Sequence, residues 1–207
     1  MNPARERILE ALRAANRGHA GLPADAPVAP RPALPASTLE TFIARVHAAS
    51  ASLEAVTGWD HLAVGVNGYL EREGLGGVTV AADPRLEGLS LTGARRRAVQ
   101  SGDAAGLTLA LAGVAETGSV VLASGPSSAT TLNLLPDHLL VVVESGSVVA
   151  HLEDLWSLLR ARYDPFPRAV NLITGPSRTA DVEQIIQLGA HGARRLHLLL
   201  LESENAR

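Results

Sequence analysis

The 207-residue sequence contains no cysteine. Without a thiol the chain forms no disulfide, has no thiolate nucleophile and cannot hold an iron–sulfur cluster through cysteine. Any redox centre of that kind must therefore belong to another chain. The seven histidines form no compact motif such as His-x3-His, so no metal site is predicted.

Aromatic residues and positive charge are also scarce. Aromatic side chains make up 3% of the chain, and the formal net charge is −3. Nucleic-acid-binding proteins present basic surfaces, and those that bind single strands add stacking rings. Nucleic acid is therefore not an expected partner. The basic run at residues 95–97 is short enough to be a solvated loop or helix end.

Long apolar runs are missing as well. Runs such as residues 139–143 and 198–201 are far shorter than the roughly 20 residues that cross a bilayer. The first residues are charged and helical in pattern, unlike a secretory signal. We therefore expect a cytoplasmic protein without a membrane span. Apolar residues at 46% and charged residues at 19% are typical of a folded globular chain.

Three segments follow one another along the chain. Residues 1–18 are predicted to form an amphipathic helical arm, with Asn2 as N-cap, Pro3 in the first turn and Gly18 at the end. Five prolines in residues 19–36 predict an extended linker. Residues 37–207 are predicted to be one folded domain.

Helical and strand patterns alternate in that domain. Ser37 and Glu40 form a capping-box pattern ahead of a helix whose apolar face extends to Leu53. Helices are also predicted over residues 59–72, 151–162 and 180–188, and strands over residues 78–81, 107–112, 120–123, 139–143, 169–173 and 196–201. The alternation predicts an α/β domain of three layers with a mostly parallel sheet.

One connection departs from that alternation. Residues 113–118 join two strand-like runs, and such a short connection favours a hairpin over a parallel crossover. The sheet is therefore predicted to be mixed, which argues against a simple dinucleotide-binding fold.

The stretch from Gly175 to Thr179, Gly-Pro-Ser-Arg-Thr, is the first candidate site. It follows a predicted strand and precedes a predicted helix and strand, so we interpret it as the loop of a right-handed βαβ unit. Gly175 permits close backbone approach, Ser177 and Thr179 offer hydroxyls, and Arg178 offers a fork for carboxylate or phosphate. The alternative is ordinary helix-start chemistry, with Thr179 as N-cap and Asp181 in the first turn.

Three further loops carry candidate residues. His191 and Gly192 lie in a turn where the histidine could act as an acid, a base or a donor, or could simply be solvated. Glu116, Thr117 and Gly118 occupy the predicted hairpin turn, where the carboxylate could be a nucleophile, a base or a partner of Arg178. Ser124 and Gly125 begin a second possible anion-binding loop. We expect these loops to line one cavity with the loop at Arg178.

These motifs together resemble the lactate utilization protein C family, whose members consist mainly of a LUD domain. The resemblance covers roughly residues 39–201. The motifs that carry it are Ala115-Glu116-Thr117-Gly118, Ser124-Gly125-Pro126, Gly175-Pro176-Ser177-Arg178-Thr179-Ala180-Asp181-Val182-Glu183 and Gly189-Ala190-His191-Gly192.

The resemblance implies the fold shared by ribose-5-phosphate isomerases, glucosamine-phosphate deaminases and coenzyme A transferases. It also implies participation in the oxidation of L-lactate to pyruvate beside two partner proteins that carry iron–sulfur clusters. The chain itself would need no cofactor. It would be a non-redox subunit that binds a small anionic metabolite or assembles the complex, and a homo-oligomer is compatible with the sequence.

Two alternatives remain open at this point. The chain could be a stand-alone enzyme acting on a sugar phosphate, an acyl-coenzyme A or a folate, with Glu116 as base or nucleophile and Arg178 as anion clamp. It could also be a small-ligand sensor without chemistry.

Overall fold

The computed structural model of the chain describes residues 3–16, 30–179, 187–188 and 192–202. The chain divides into two units, residues 1–32 and 33–207. In the first unit, helix α1 (Pro3–Asn16) lies within the predicted N-terminal helix. Gly18 and most of the predicted linker lie outside the described residues.

The second unit alternates helices and strands. The helices are α2 (Thr38–Ala48), α3 (Leu62–Arg72), α4 (Pro84–Glu87), α5 (Thr130–Leu134) and α6 (Leu152–Arg162), with single 3-10 turns at Trp59–His61 and Ser145–Ser147. The strands are β1 (Ser52–Thr57), β2 (Thr79–Val80), β3 (Ala105–Leu109), β4 (Ala112–Val114), β5 (Ser119–Ala123), β6 (His138–Glu144), β7 (Val148–Val149), β8 (Val170–Ile173), β9 (Arg178–Thr179), β10 (Gln187–Leu188) and β11 (Arg195–Glu202).

The larger sheet has five parallel strands in the order β1-β11-β6-β3-β2. Its central strands are apolar on both faces, as expected for a parallel sheet covered on both sides. In β6, Leu140 and Val142 face α3, whereas Leu139, Val141 and Val143 face α2. The predicted α/β class with a mostly parallel sheet is confirmed.

A second sheet has four strands in the order β7-β4-β5-β8. Strands β4 and β5 form the predicted antiparallel hairpin, β8 pairs antiparallel with β5, and β7 pairs parallel with β4. The run predicted as one strand at residues 107–112 is divided, because β3 ends at Leu109 in the large sheet and β4 begins at Ala112 in the small one.

Three apolar clusters hold these layers together. Helix α3 packs on one face of the five-stranded sheet, and α2 with the inner face of the four-stranded sheet packs on the other. Helix α6 covers the outer face of the four-stranded sheet through Leu155 and Leu159. The burial of apolar side chains in all three clusters is the main stabilising contribution.

One helix prediction is wrong in its extent. The capping box is present, because the Glu40 amide donates to Ser37 Oγ and the Ser37 amide donates to Glu40 Oε2. The helix, however, ends at Ala48, Ser50 adopts a φ of 63°, and Leu53 lies in β1. Leu53 belongs to a strand because β1 pairs in parallel with β11. Its helical spacing from the apolar residues of α2 is a coincidence.

The βαβ interpretation of residues 169–201 is also wrong. Strand β8 belongs to the four-stranded sheet and β11 to the five-stranded sheet, so the two do not form a βαβ unit within one sheet. Thr179 lies in strand β9 rather than at a helix N-cap. Gln187–Leu188, at the end of the predicted helix, pairs with it as strand β10. The rest of that helix, residues 180–186, lies outside the described residues.

Candidate functional site

Glu116, the predicted catalytic residue, anchors the start of helix α6. Its Oε1 accepts a hydrogen bond of 2.9 Å from the Leu152 amide, and its Oε2 lies 2.9 Å from His151 Nδ1. Burial on its own raises the pKa of Glu116, but the bonds from His151 and the Leu152 amide outweigh burial and hold that pKa below its usual value. Both carboxylate oxygens are thus engaged in holding the hairpin against α6.

The other residues of the hairpin turn connect it to β8 and α2. A chain of hydroxyls runs from Thr117 through Ser119 to Thr174, which follows β8. Gly118 has a φ of 70°, and a Cβ there would lie 2.7 Å from the backbone of Arg45 in α2. Thr117 and Gly118 therefore place the hairpin turn beside the Gly175 loop.

The Gly175 loop itself packs on the carboxyl end of α2. Gly175 has a φ of 76°, and a Cβ there would collide with the carbonyl oxygen of Ala49. Beyond it, the Ser177 amide donates a 2.8 Å hydrogen bond to the carbonyl of Ala193. This bond brings Ser177 against Gly192, so two segments that the sequence predicted to converge do so.

The remaining predicted residues of this region are only partly described. The backbone of Arg178 and Thr179 forms β9. Asp181 and His191 lie outside the described residues.

A cavity of about 240 Å³ opens at this loop, near the amino-terminal end of β11. We call it the Asn133 cavity. Its polar lining residues are Asn133, Thr174, Gly175, Ser177 and Gly192, and its apolar lining residues include Leu134, Leu172, Ile173 and Leu196.

Asn133 is the residue of this cavity that the sequence analysis missed. It is 1% exposed, and neither Nδ2 nor Oδ1 has a hydrogen-bond partner in the described parts of the chain. Buried amides are nearly always hydrogen-bonded, because an unpaired buried polar group is costly. The signal in the sequence was a single asparagine inside the apolar run Leu-Asn-Leu-Leu, which extends one residue beyond helix α5.

Ser124 and Gly125 lie elsewhere. They follow the opposite end of β5, and strand geometry puts them about 15 Å from the hairpin turn. Ser124 exchanges hydrogen bonds with the backbone of Ala169, and Gly125 pairs with Ser128. The expectation that all candidate loops line one cavity is therefore wrong for Ser124 and Gly125, which line a second cavity of about 320 Å³. It is also wrong for the hairpin turn, because Glu116, Thr117 and Gly118 do not line the Asn133 cavity.

A buried polar cluster lies between α3 and the five-stranded sheet. His197 Nδ1 is 2.8 Å from Ser52 Oγ, and its ring stacks on Tyr69 with centroids 4.3 Å apart. The Tyr69 hydroxyl lies 2.9 Å from His138 Nδ1. Burial lowers the pKa of His197 to about 4, lowers that of His138 and raises that of Tyr69 to about 12. The cluster is therefore uncharged at neutral pH.

The described ranges contain neither a candidate metal centre nor a membrane-spanning helix. In the described ranges, no group of three or more His, Asp or Glu side chains is arranged to hold a metal ion. No helix of those ranges has the length and apolar character needed to cross a membrane.

Comparison with known proteins identifies the family. The model of the LUD domain matches residues 87–201, more than half of the chain. The chain belongs to the LUD domain family. The Glu116 hairpin, the Asn133 cavity and the Ser177–Ala193 contact all lie inside the matched region of this LUD protein.

Curated relatives carry the name that the motifs predicted. Lactate utilization protein C of Halalkalibacterium halodurans is 27% identical over 161 residues, which cover 69% of this chain and 70% of that protein. The Bacillus subtilis protein of the same name is 31% identical over 46% of this chain and 41% of its own length. Uncharacterized protein YkgG of Escherichia coli is 32% identical over 47% and 43%. The last two alignments thus span less than half of each relative.

A solved structure supports the fold. The crystal structure of a DUF162 family protein from Deinococcus radiodurans superposes with a TM-score of 0.58 and 18% sequence identity, covering 82% of this chain and 99% of that one. At that identity the likeness supports the fold alone.

Proposed function

We propose that this LUD protein is a non-redox component of an L-lactate utilization system and that it binds a small 2-hydroxy or 2-keto acid in the Asn133 cavity. Relatives named lactate utilization protein C support the system. The absence of cysteine supports a non-redox role for this chain, because iron–sulfur clusters would then be carried by partner proteins.

The observation that carries the ligand proposal is the buried amide of Asn133, which has no hydrogen-bond partner among the described residues. An amide offers two N–H donors and one acceptor. A 2-hydroxy acid offers the complement, since its carboxylate accepts hydrogen bonds and its hydroxyl donates one. Leaving a buried polar group unpaired costs about 1–3 kcal/mol, so a ligand that satisfies both atoms removes that penalty when it binds.

The size and walls of the cavity support a small ligand. Its volume of about 240 Å³ lies below the roughly 300–1,000 Å³ of sites for drug-sized molecules. Leu134, Ile173 and Leu196 offer apolar contact for a methyl group.

The binding test uses L-lactate and pyruvate as probes in calorimetric titrations of the full chain. We expect Asn133→Leu to lose the binding of both acids in the Asn133 cavity, so that it binds them measurably more weakly than the wild type does. It should also raise the unfolding free energy by about 1 kcal/mol, because a buried amide is replaced by an apolar group of similar size. Asn171→Leu is the matched control, because Asn171 also has a buried Nδ2 with no partner in the part of the chain that the structure describes, but it does not line the cavity.

Two results would overturn the ligand proposal. One is the absence of saturable binding of either acid to the wild-type chain. The other is equal binding by wild type and Asn133→Leu, which would place the ligand elsewhere.

The role in the system has its own test. A strain that lacks the chain should lose growth on L-lactate and regain it with the wild-type gene, and the tagged chain should co-purify with iron–sulfur proteins from cells grown on lactate. Normal growth of the deletion strain on L-lactate contradicts this role, whatever the titrations show.

A further inference from the structure

The second cavity, which we call the Arg162 cavity, lies at the opposite end of the five-stranded sheet. It opens beyond Leu109 and Glu144, the last residues of β3 and β6, and is also lined by Arg85, Arg162 and the loop at residues 124–128. In open α/β sheets, ligands bind in the crevice outside the carboxyl ends of the strands. The Arg162 cavity occupies this position, and the Asn133 cavity does not.

Arg85 forms a fixed wall of the Arg162 cavity. Its Nε and Nη2 donate to the two carboxylate oxygens of Asp83 at 3.0 Å, and its Nη1 donates to Glu144 at 2.9 Å. Its guanidinium also lies 5.9 Å from the ring centre of Trp59. The two carboxylates that line the cavity are thus neutralised in part by an arginine that is held in one orientation.

Arg162 is the cation of this cavity that has no such partner. It is exposed, and in the described ranges it forms neither an ion pair nor a side-chain hydrogen bond. As the last residue of α6 it also has a simpler role, because a cation at a helix carboxyl terminus interacts favourably with the helix dipole. Arg160 lies in the same last turn and can interact with the helix dipole equally well, but it does not line the cavity.

The loop at residues 124–128 adds hydroxyl groups to the same wall. Gly125 and Ser128 exchange backbone hydrogen bonds of 3.1 Å, which fix the loop in a tight turn. Ser128 Oγ is buried and has no hydrogen-bond partner within the described residues. An acceptor placed in the cavity would satisfy this hydroxyl.

We infer that the Arg162 cavity is a second ligand site, which binds a small oxyanion, phosphate or carboxylate, through Arg162 and the hydroxyls of the loop at residues 124–128. A guanidinium and hydroxyl donors match the acceptor oxygens of such an anion. No basic residue of the loop itself is needed, because α6 supplies the charge from a distant part of the sequence. This site is independent of the proposed site at Asn133.

The test follows the backbone amides of Gly125, Ser127 and Ser128 by nuclear magnetic resonance while the full chain is titrated with inorganic phosphate or, separately, with L-lactate. We expect saturable shifts at these amides, a rise in Kd of about tenfold in Arg162→Gln, and a rise of about threefold in Ser128→Ala. Arg160→Gln is the control and should bind as the wild type does. Phosphate and lactate are compared to tell which oxyanion the site prefers.

Three outcomes would overturn the inference: no saturable shift with either probe, equal weakening by Arg162→Gln and Arg160→Gln, or shifts confined to the residues of the Asn133 cavity. The proposals for the two sites can be contradicted independently of each other. Loss of lactate binding in Asn133→Leu leaves the phosphate shifts at Gly125 unchanged, and Arg162→Gln leaves the Asn133 cavity intact.

Discussion

Two loops of nearly the same composition flank the four-stranded sheet, and they differ in what surrounds them. Ser124-Gly125-Pro126 follows β5 at one end of the sheet, and Gly175-Pro176-Ser177 follows β8 at the other. A Cβ added at Gly125 would meet no atom of the described residues within 4 Å, whereas one at Gly175 would collide with the Ala49 carbonyl. The first loop is hydrogen-bonded within itself through Gly125 and to Ala169 through Ser124, and the second is hydrogen-bonded to the segment before β11.

This difference determines the kind of cavity beside each loop. The Gly175 loop is packed between α2 and β11, and the cavity beside it is lined by Asn133, whose side chain is buried. The loop at Gly125 is exposed, and its cavity is formed by charged side chains, among them Arg85 and Arg162. The same three residue types thus contribute to a cavity lined by a buried amide in one place and to a cavity lined by charged side chains in the other.

Substitution of the two glycines should separate the loops most strongly. We expect Gly175→Ala to lower the unfolding free energy by about 3 kcal/mol, because the new Cβ meets a backbone carbonyl and the φ of 76° is unfavourable for alanine. Gly125→Ala should change it by less than about 0.5 kcal/mol. Urea unfolding of both variants measures the difference, and equal losses would show that the loops are not packed differently.

The second-largest expected difference is in the pH dependence of stability, which should differ between the two ends of the five-stranded sheet. His197, in β11 beside the Asn133 end, has a pKa of about 4 in the folded chain, against an ordinary value of 6.5. Between pH 6.5 and 4 the unfolded chain therefore binds one more proton than the folded chain. Stability is fully present above pH 6.5 and falls by about 3 kcal/mol as the pH falls through this window.

The Arg162 end should respond only at lower pH. Hydrogen bonds from Arg85 hold the pKa of Asp83 below its ordinary value, so its contribution to stability is lost only below about pH 4. Unfolding free energies at pH 7, 6 and 5 test the contrast. His197→Gln should flatten the curve above pH 4, and the exposed control His47→Gln should not. A curve for His197→Gln as steep as that of the wild type would contradict the assignment.

The layers of the fold could be predicted from local patterns because those patterns report burial directly. Leu140 and Val142 alternate with Leu139 and Val141 on the two buried faces of β6. Such a run of apolar residues predicts a strand buried on both faces without knowledge of which strands pair with it. Pairing partners could not be predicted in the same way. Leu53 fits a helical face and a strand equally well, and only its contact with β11 decides between them.

The candidate sites were predictable to a smaller extent. Glycines such as Gly118 and Gly175 indicate close approach, but the sequence does not say whether a ligand or a helix approaches them. In this protein α2 does. Asn133 is marked in the sequence only as a single asparagine in an apolar run, and Arg162 belongs to no local motif. Their importance comes from the cavities they line, and these depend on chain segments distant in the sequence.

Substitution of Glu116 should have the smallest effect on stability and ligand binding. It tests whether the hairpin turn is part of the ligand site at Asn133. Thr117, Ser119 and Thr174 link the hairpin turn to that cavity, yet both oxygens of Glu116 are bound to the start of α6. Glu116→Gln keeps an acceptor for the Leu152 amide and removes the charge that faces His151. We therefore expect a loss of about 1 kcal/mol in unfolding free energy and an unchanged Kd for L-lactate. If the variant keeps its stability but loses ligand binding, Glu116 contacts the ligand, and the hairpin has to be counted as part of the site.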